Sequence, residues 1–298
     1  MPPSKTGTRF LSKFQLVVFS VVFAAFLSEL GLRIGGYTYP EFYQPDSVRG
    51  YALRPGVRGW YRKEGQSYVT INSDGLRDRD HAKSKRPNTI RIAVLGDSFA
   101  EALQVPVEDA FWSIMNNRLQ QCAATNGQTI EVINFGVSGY GTAQELLTLQ
   151  NNLWDYAPDL VVLTVTTNND ITDNSRALKK TNEVPYFIHR DGQLVEDDTF
   201  KTDRSFLWRQ SRWAAVGRWF RDNLRLVQAF IEALRGVKTL LASRSTPSTT
   251  AANTKSDGDQ FASSVELGID NFIYLEPRDP TWNEAWAVTE DLLTLMNN

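Results

Sequence analysis

From Thr89 onward, short apolar runs alternate with segments of helical period. Ile90–Leu95, Thr129–Asn134 and Asp159–Thr166 read as strands, and Asp109–Ala124 and Ala143–Tyr156 carry apolar residues at helical spacing. These strands show little polar alternation, which is the pattern of strands buried on both faces. Their alternation with amphipathic helices predicts a parallel sheet covered on two sides. Ligands of such sheets bind beyond the carboxyl ends of the strands.

The chain opens differently. Lys5, Arg9 and Lys13 precede FQLVVFSVVFAAFLS, an uncharged stretch from Phe14 to Ser28, and Glu29 and Arg33 follow. A basic start and an apolar segment describe a signal peptide or a signal anchor. Phe10–Leu32 reaches spanning length only with Lys13 and Glu29 near the two interfaces. No clean Ala-x-Ala cleavage site precedes Glu29, which favours an uncleaved anchor over residues 1–34. A cleaved signal and a buried helix of a soluble protein are the alternatives. The basic flank predicts a cytoplasmic N-terminus and a remainder outside the cytoplasm, periplasmic or extracellular.

Residues 35–88 are rich in Tyr, Pro, Gly and Arg and show no helical period. They read as an extended segment wrapping over the main domain, with a short strand at Tyr68–Asn72. The main domain is expected over 89–298, with an insertion at 175–281. Within the insertion, Tyr186–Val195 reads as a hairpin turning at Asp191-Gly192. Residues 204–241 read as one or two helices studded with Trp208, Trp213, Trp219 and Phe220. Their aromatic face is expected to pack on the core; a lid or a membrane-surface patch is the alternative. Residues 242–264 are too polar to pack and read as a linker. A last helix is expected from Trp282 to Met296.

Composition narrows the chemistry. With 32 basic and 34 acidic residues the net charge is −2, so nothing points to nucleic acid. The single cysteine, Cys122, excludes an internal disulfide and cysteine-rich metal sites. Only two histidines occur, without a His-Glu-x-x-His pattern, so no metal or cofactor is implied.

The candidate chemistry lies where the three strands end. Gly96-Asp97-Ser98-Phe99 follows the first, delivering a serine hydroxyl into a turn. Asn134-Phe135-Gly136-Val137-Ser138-Gly139-Tyr140-Gly141-Thr142 follows the second, and its glycines let the backbone approach a ligand with N–H groups forward. Thr166-Thr167-Asn168-Asn169-Asp170 follows the third and offers a side-chain amide. Parallel strands bring all three segments to one rim. No Gly-x-Ser-x-Gly elbow surrounds Ser98, which disfavours the α/β-hydrolase fold.

Together these residues resemble the SGNH (GDSL-type) hydrolase superfamily, well over 89–174 and loosely over 282–296. The resemblance implies a three-layer α/β/α sandwich, with Ser98 as nucleophile. It implies an oxyanion hole from the Ser98 N–H, the Gly139 N–H and the Asn169 side chain. Asn168 stands where the family commonly has glycine, a change expected to alter the turn more than the donor. Asp97 reads as a turn-stabilising residue.

The resemblance also implies an Asp-x-x-His near the C-terminus, and no histidine follows His189 in this sequence. His81 lies in a charged segment and reads as a solvated surface residue. His189 lies near Asp191 on the hairpin, and nothing places it over Ser98. A truncated product is therefore expected, with little activity as it stands, because loss of a general base costs about 10²–10⁴-fold. The implied reaction is hydrolysis of an acyl ester by a membrane-anchored serine esterase. O-acyl transfer to an envelope polysaccharide, or a non-catalytic binding or scaffold role, are the alternatives.

Overall fold

The computed structural model describes residues 5–62, 64–122, 127–166, 169–245, 276–277 and 279–297. The chain divides into two compact units, Met1–Pro40 with Ala215–Ala252 and Glu41–Ala214 with Asn253–Asn298. In chain order the first elements are helix α1 (Lys5–Ile34) and strands β1 (Tyr43–Asp46), β2 (Gly50–Leu53), β3 (Arg58–Tyr61), β4 (Ser67–Thr70) and β5 (Thr89–Gly96). Then come α2 (Ser98–Glu101), α3 (Phe111–Gln120), β6 (Thr129–Asn134), α4 (Thr142–Asn151), β7 (Leu160–Thr164), α5 (Asp170–Asp173) and α6 (Arg176–Lys179). The hairpin β8 (Tyr186–Arg190) and β9 (Gln193–Asp197) leads to helices α7 (Arg204–Gln210), α8 (Arg212–Asn223), α9 (Arg225–Ser245) and α10 (Pro280–Asn297).

The larger unit is a mixed α/β body built on a parallel sheet of order β6-β5-β7. Side chains alternate across it as the two-residue period requires. Ile92, Val94, Ile130 and Val132 meet Trp112 of α3 on one face. Ala93, Leu95, Ile133 and Phe135 meet Leu146 and Leu149 of α4 and Val288 and Leu292 of α10 on the other. Both faces are buried, which is why the strands read as continuous apolar runs. The two antiparallel hairpins, β1-β2 and β3-β4, place Phe42, Leu53, Val69 and Ile71 against Leu103, Val137 and Tyr140. The segment after Pro40 thus packs on the loops that follow β5 and β6.

The expected elements are present, with shifted ends. The first long helix is preceded by a 3-10 turn at Val107–Asp109 and stops at Gln120. The second stops at Asn151, and a 3-10 turn, Leu153–Tyr156, ends in the left-handed Ala157 just ahead of Pro158. Thr166 lies beyond the third strand. At the hairpin tip Asp191 and Gly192 have φ of 54° and 75°, the two positive values that a two-residue turn between twisted strands requires.

The insertion departs from expectation in two ways. Residues 204–241 form three helices rather than one or two, because Ser211 is extended at the end of α7 and α8 gives way to α9 at Leu224. The aromatic residues expected to pack on the core, Trp208, Trp213, Trp219 and Phe220, are all exposed, while Phe206 and Phe200 stack edge-on in the interior. Residues 242–245 of the expected linker continue α9, and the rest of it lies outside the described residues.

In the smaller unit, α1 contains a segment, Lys13–Ile34, of 22 residues and mean hydropathy 1.9 that is long and apolar enough to cross a membrane. At ~1.5 Å per residue it reaches about 33 Å. A membrane anchor and a signal sequence both fit it.

Candidate functional site

The site is built where β5 ends. Gly96 pairs with Thr164 of β7, and its carbonyl accepts the Val137 N–H at 3.0 Å. One residue therefore stitches together the segments leaving all three strands. Gly96 and Gly136 must be glycine for close approach. A Cβ on Gly136 would lie 2.4 Å from the Ala100 Cβ, and one on Gly96 would lie 2.8 Å from the same atom.

Ser98 is the first residue of α2 and is partly exposed beside the exposed Phe99. Asp97 holds this turn. Its buried carboxylate accepts the Phe99 N–H at 2.9 Å and the Thr166 hydroxyl at 3.0 Å, so the aspartate fastens the serine turn to the segment after β7. This is the structural role expected of it.

Gly139 has φ +76°, and a Cβ there would meet the Tyr51 hydroxyl at 2.7 Å. That hydroxyl donates to the Ser138 carbonyl at 2.8 Å, so the wrapping hairpin fixes the glycine loop. The Gly139 carbonyl accepts from Lys179 Nζ at 2.6 Å. Lys179 also lies 3.1 Å from the Asp173 carboxylate. Asn169 in turn places its Nδ2 3.4 Å from Asp173 Oδ2, and its carbonyl accepts the Asp173 N–H at 2.7 Å. A continuous polar chain thus runs from Asn169 through Asp173 and Lys179 to Gly139. The Asn169 side-chain oxygen is buried with no hydrogen-bond donor among the described residues.

The interior below is rich in carboxylates. Glu145, in the first turn of α4, is 1% exposed, and neither of its oxygens has a donor among the described residues. Burial pushes its carboxyl well above the usual range, and Asp170, Asp97 and Asp173 push it further. Asp170 is pushed up to about 7 by burial and by Asp97 and Asp173, although its carboxylate accepts the Thr166 N–H at 2.6 Å and Lys179 opposes the shift. Glu101, one turn after Ser98, is fully buried; burial raises it to about 7 against hydrogen bonds from Ser138 and Tyr43 and the charge of Arg77. Glu101 and Lys179 were not singled out in the sequence. Glu101 carries a faint signal, an acid set among Ala100, Ala102 and Leu103, whereas Lys179 carries none.

Neither histidine joins this site. His81 is buried, not solvated: its Nδ1 lies 2.7 Å from Glu131 Oε1 and its Nε2 3.2 Å from Asp78 Oδ2. Burial works against its charge, but the two carboxylates overcome that and raise its pKa. The Glu131 carboxylate also pairs with Arg91 at 2.7 Å. Arg91 and Glu131 face each other as the third residues of β5 and β6, so this cluster sits toward the amino ends of the strands, away from Ser98. His189 does not turn to Asp191. It lies between Glu284 (2.9 Å) and Asp291 (2.8 Å) on α10.

No protein-family profile matches the chain. A stretch of 81 residues is 32% identical to an arylesterase of Vibrio mimicus, covering 27% of this chain and 38% of that esterase. The match therefore spans little more than a third of the relative's length. It relates part of this mixed α/β chain to an ester-hydrolysing protein.

Proposed function

We propose that the chain carries a serine esterase domain of the SGNH type, a three-layer α/β/α sandwich over residues 89–298 with an insertion at 175–281, held to a membrane by residues 1–34. The observation that carries this reading is the joining of three strand-end segments around Gly96, with Ser98 partly exposed at the head of one of them. Ser98 attacks the acyl carbonyl. The Ser98 N–H, the Gly139 N–H and the Asn169 amide stabilise the oxyanion, each donor contributing about 3 kcal/mol. The stretch shared with an arylesterase supports the same reaction class.

Removal of the serine proton is the weak point of this chain taken alone. His81 and His189 are both engaged by carboxylates elsewhere. Hydrolysis by the residues present is therefore slow, and the oxyanion donors supply what acceleration remains. Lys5, Arg9 and Lys13 at the start of the apolar helix favour an esterase domain outside the cytoplasm, with acyl groups of the cell envelope as substrates.

The test is covalent labelling with a fluorophosphonate, read by mass spectrometry of the Ser98 peptide. An adduct on Ser98 is expected, absent in Ser98→Ala and weakened in Asn169→Ala. No adduct on Ser98, or unchanged labelling in Ser98→Ala, overturns the reading.

A further inference from the structure

Within the smaller unit, α9 is amphipathic in a way that its packing does not use up. Leu226, Phe230, Leu234, Val237 and Leu241 recur at three- and four-residue intervals, lie on one side of the helix and are all exposed. Phe230 is 64% and Leu241 59% exposed. The opposite side is polar and occupied. Gln228, 1% exposed, accepts the Tyr39 N–H at 2.7 Å and donates to the Arg221 carbonyl at 2.7 Å. Glu232 pairs with Arg235 at 2.6 Å. The polar row thus faces the chain that follows α1, and the apolar row faces away from it.

The start of α9 is fixed to the last turns of α1. The Glu29 carboxylate accepts the N–H groups of Arg225 (3.0 Å) and Leu226 (2.8 Å), satisfying two donors that a helix N-terminus leaves open. Arg33, paired with Glu29 at 2.7 Å, donates to the Asn223 carbonyl. Glu29 and Arg33 mark the end of the apolar segment Lys13–Ile34, which is where a spanning helix leaves the hydrocarbon. The apolar row of α9 therefore starts at the depth of a membrane interface. Residues 212–245 carry seven basic and two acidic residues, and Trp219 and Phe220 of α8 are exposed beside them. Basic charge with aromatic and aliphatic residues on one face is the composition of helices lying in the headgroup region of anionic bilayers.

We propose that α9 is an interfacial helix, clamped to the exit of α1 and lying on an anionic bilayer with Phe230, Leu234, Val237 and Leu241 turned into the lipid. The proposal rests on reading α1 as a spanning helix, and the experiment separates the two.

The full chain carrying Cys122→Ser, which removes the single exposed cysteine, is placed in nanodiscs of phosphatidylcholine and phosphatidylglycerol. A fluorophore is attached in turn at Phe230→Cys, Leu234→Cys, Arg235→Cys and Val22→Cys. The probes at 230 and 234 are expected to be quenched several-fold more by spin-labelled lipid than by aqueous iodide, the probe at 235 the reverse, and the probe at 22 by lipid only. Iodide quenching at 230 and 234, with lipid quenching retained at 22, overturns the proposal and leaves α1 spanning. Shielding from both quenchers at 230 and 234 also overturns it, because protein then covers the face. Failure of lipid to quench at 22 overturns the spanning reading and the proposal with it.

Discussion

Glu101 accepts the backbone N–H of Ser138 at 3.0 Å. A carboxylate one turn after the candidate nucleophile thereby holds the loop that contains Gly139, and the Tyr43 hydroxyl, 2.8 Å away, holds that carboxylate in turn. The wrapping segment, the serine turn and the glycine loop meet at one fully buried acid.

That acid sets a pH dependence. Burial raises the Glu101 carboxyl from the usual 4.5 to about 7, so the folded state binds its proton more tightly than the unfolded state. The associated stability is fully present below pH 4.5 and is lost as pH rises through about 7, at up to roughly 1.4 kcal/mol per pH unit. Asp170 and Glu145 shift in the same direction. Urea denaturation between pH 4.5 and 8 should show stability falling across this window, and Glu101→Gln should flatten part of the slope. An unchanged slope in that variant would remove Glu101 from the account.

Gly139→Ala should cost about 1–2 kcal/mol for the left-handed backbone alone, and more because the new Cβ meets the Tyr51 hydroxyl. Tyr51→Phe removes that hydroxyl and its bond to the Ser138 carbonyl. The double variant should therefore be less destabilised than the sum of the two single ones, as measured by a double-mutant cycle of thermal or urea melts.

Lys179→Met should destabilise by about 3–5 kcal/mol, since it removes the buried ammonium that offsets the Asp173 carboxylate beside Asp170 and Glu145. It also frees the Gly139 carbonyl. Lowering the pH should partly restore the melting temperature of this variant, because protonating the remaining carboxyls relieves their repulsion.

His189→Ala should cost no more than about 1 kcal/mol, because its carboxylate partners are largely exposed and water screens the pairs. Asp291 and Glu284 raise the histidine pKa, so its contribution is present below pH 6.5 and fades as pH rises through the raised value. Melting temperatures at pH 6 and 8, with and without salt, measure this. Fluorophosphonate labelling of Ser98 should be unchanged in His189→Ala, since that side chain turns to α10.

Much of the architecture was legible in the chain itself, because local rules decide it. Apolar runs without polar alternation demanded strands buried on both faces, the Asp191-Gly192 pair demanded a tight hairpin, and the uncharged stretch after Lys13 demanded a long apolar helix. The ends of those strands also marked the segments that Gly96 joins, since parallel strands deliver their exits to one side. Tertiary packing alone decided what surrounds them. His81 became a buried ion-pair member because Glu131 arrives on β6 opposite Asp78, three residues before the histidine. Glu101 and Lys179 joined the site through contacts with residues 37 and 40 positions away, separations that no local period encodes. Packing also decided which aromatic residues of the insertion are covered: Phe200 and Phe206 stack on each other in the interior while Trp208, Trp213, Trp219 and Phe220 stay exposed, because helical spacing does not say which ring finds a partner.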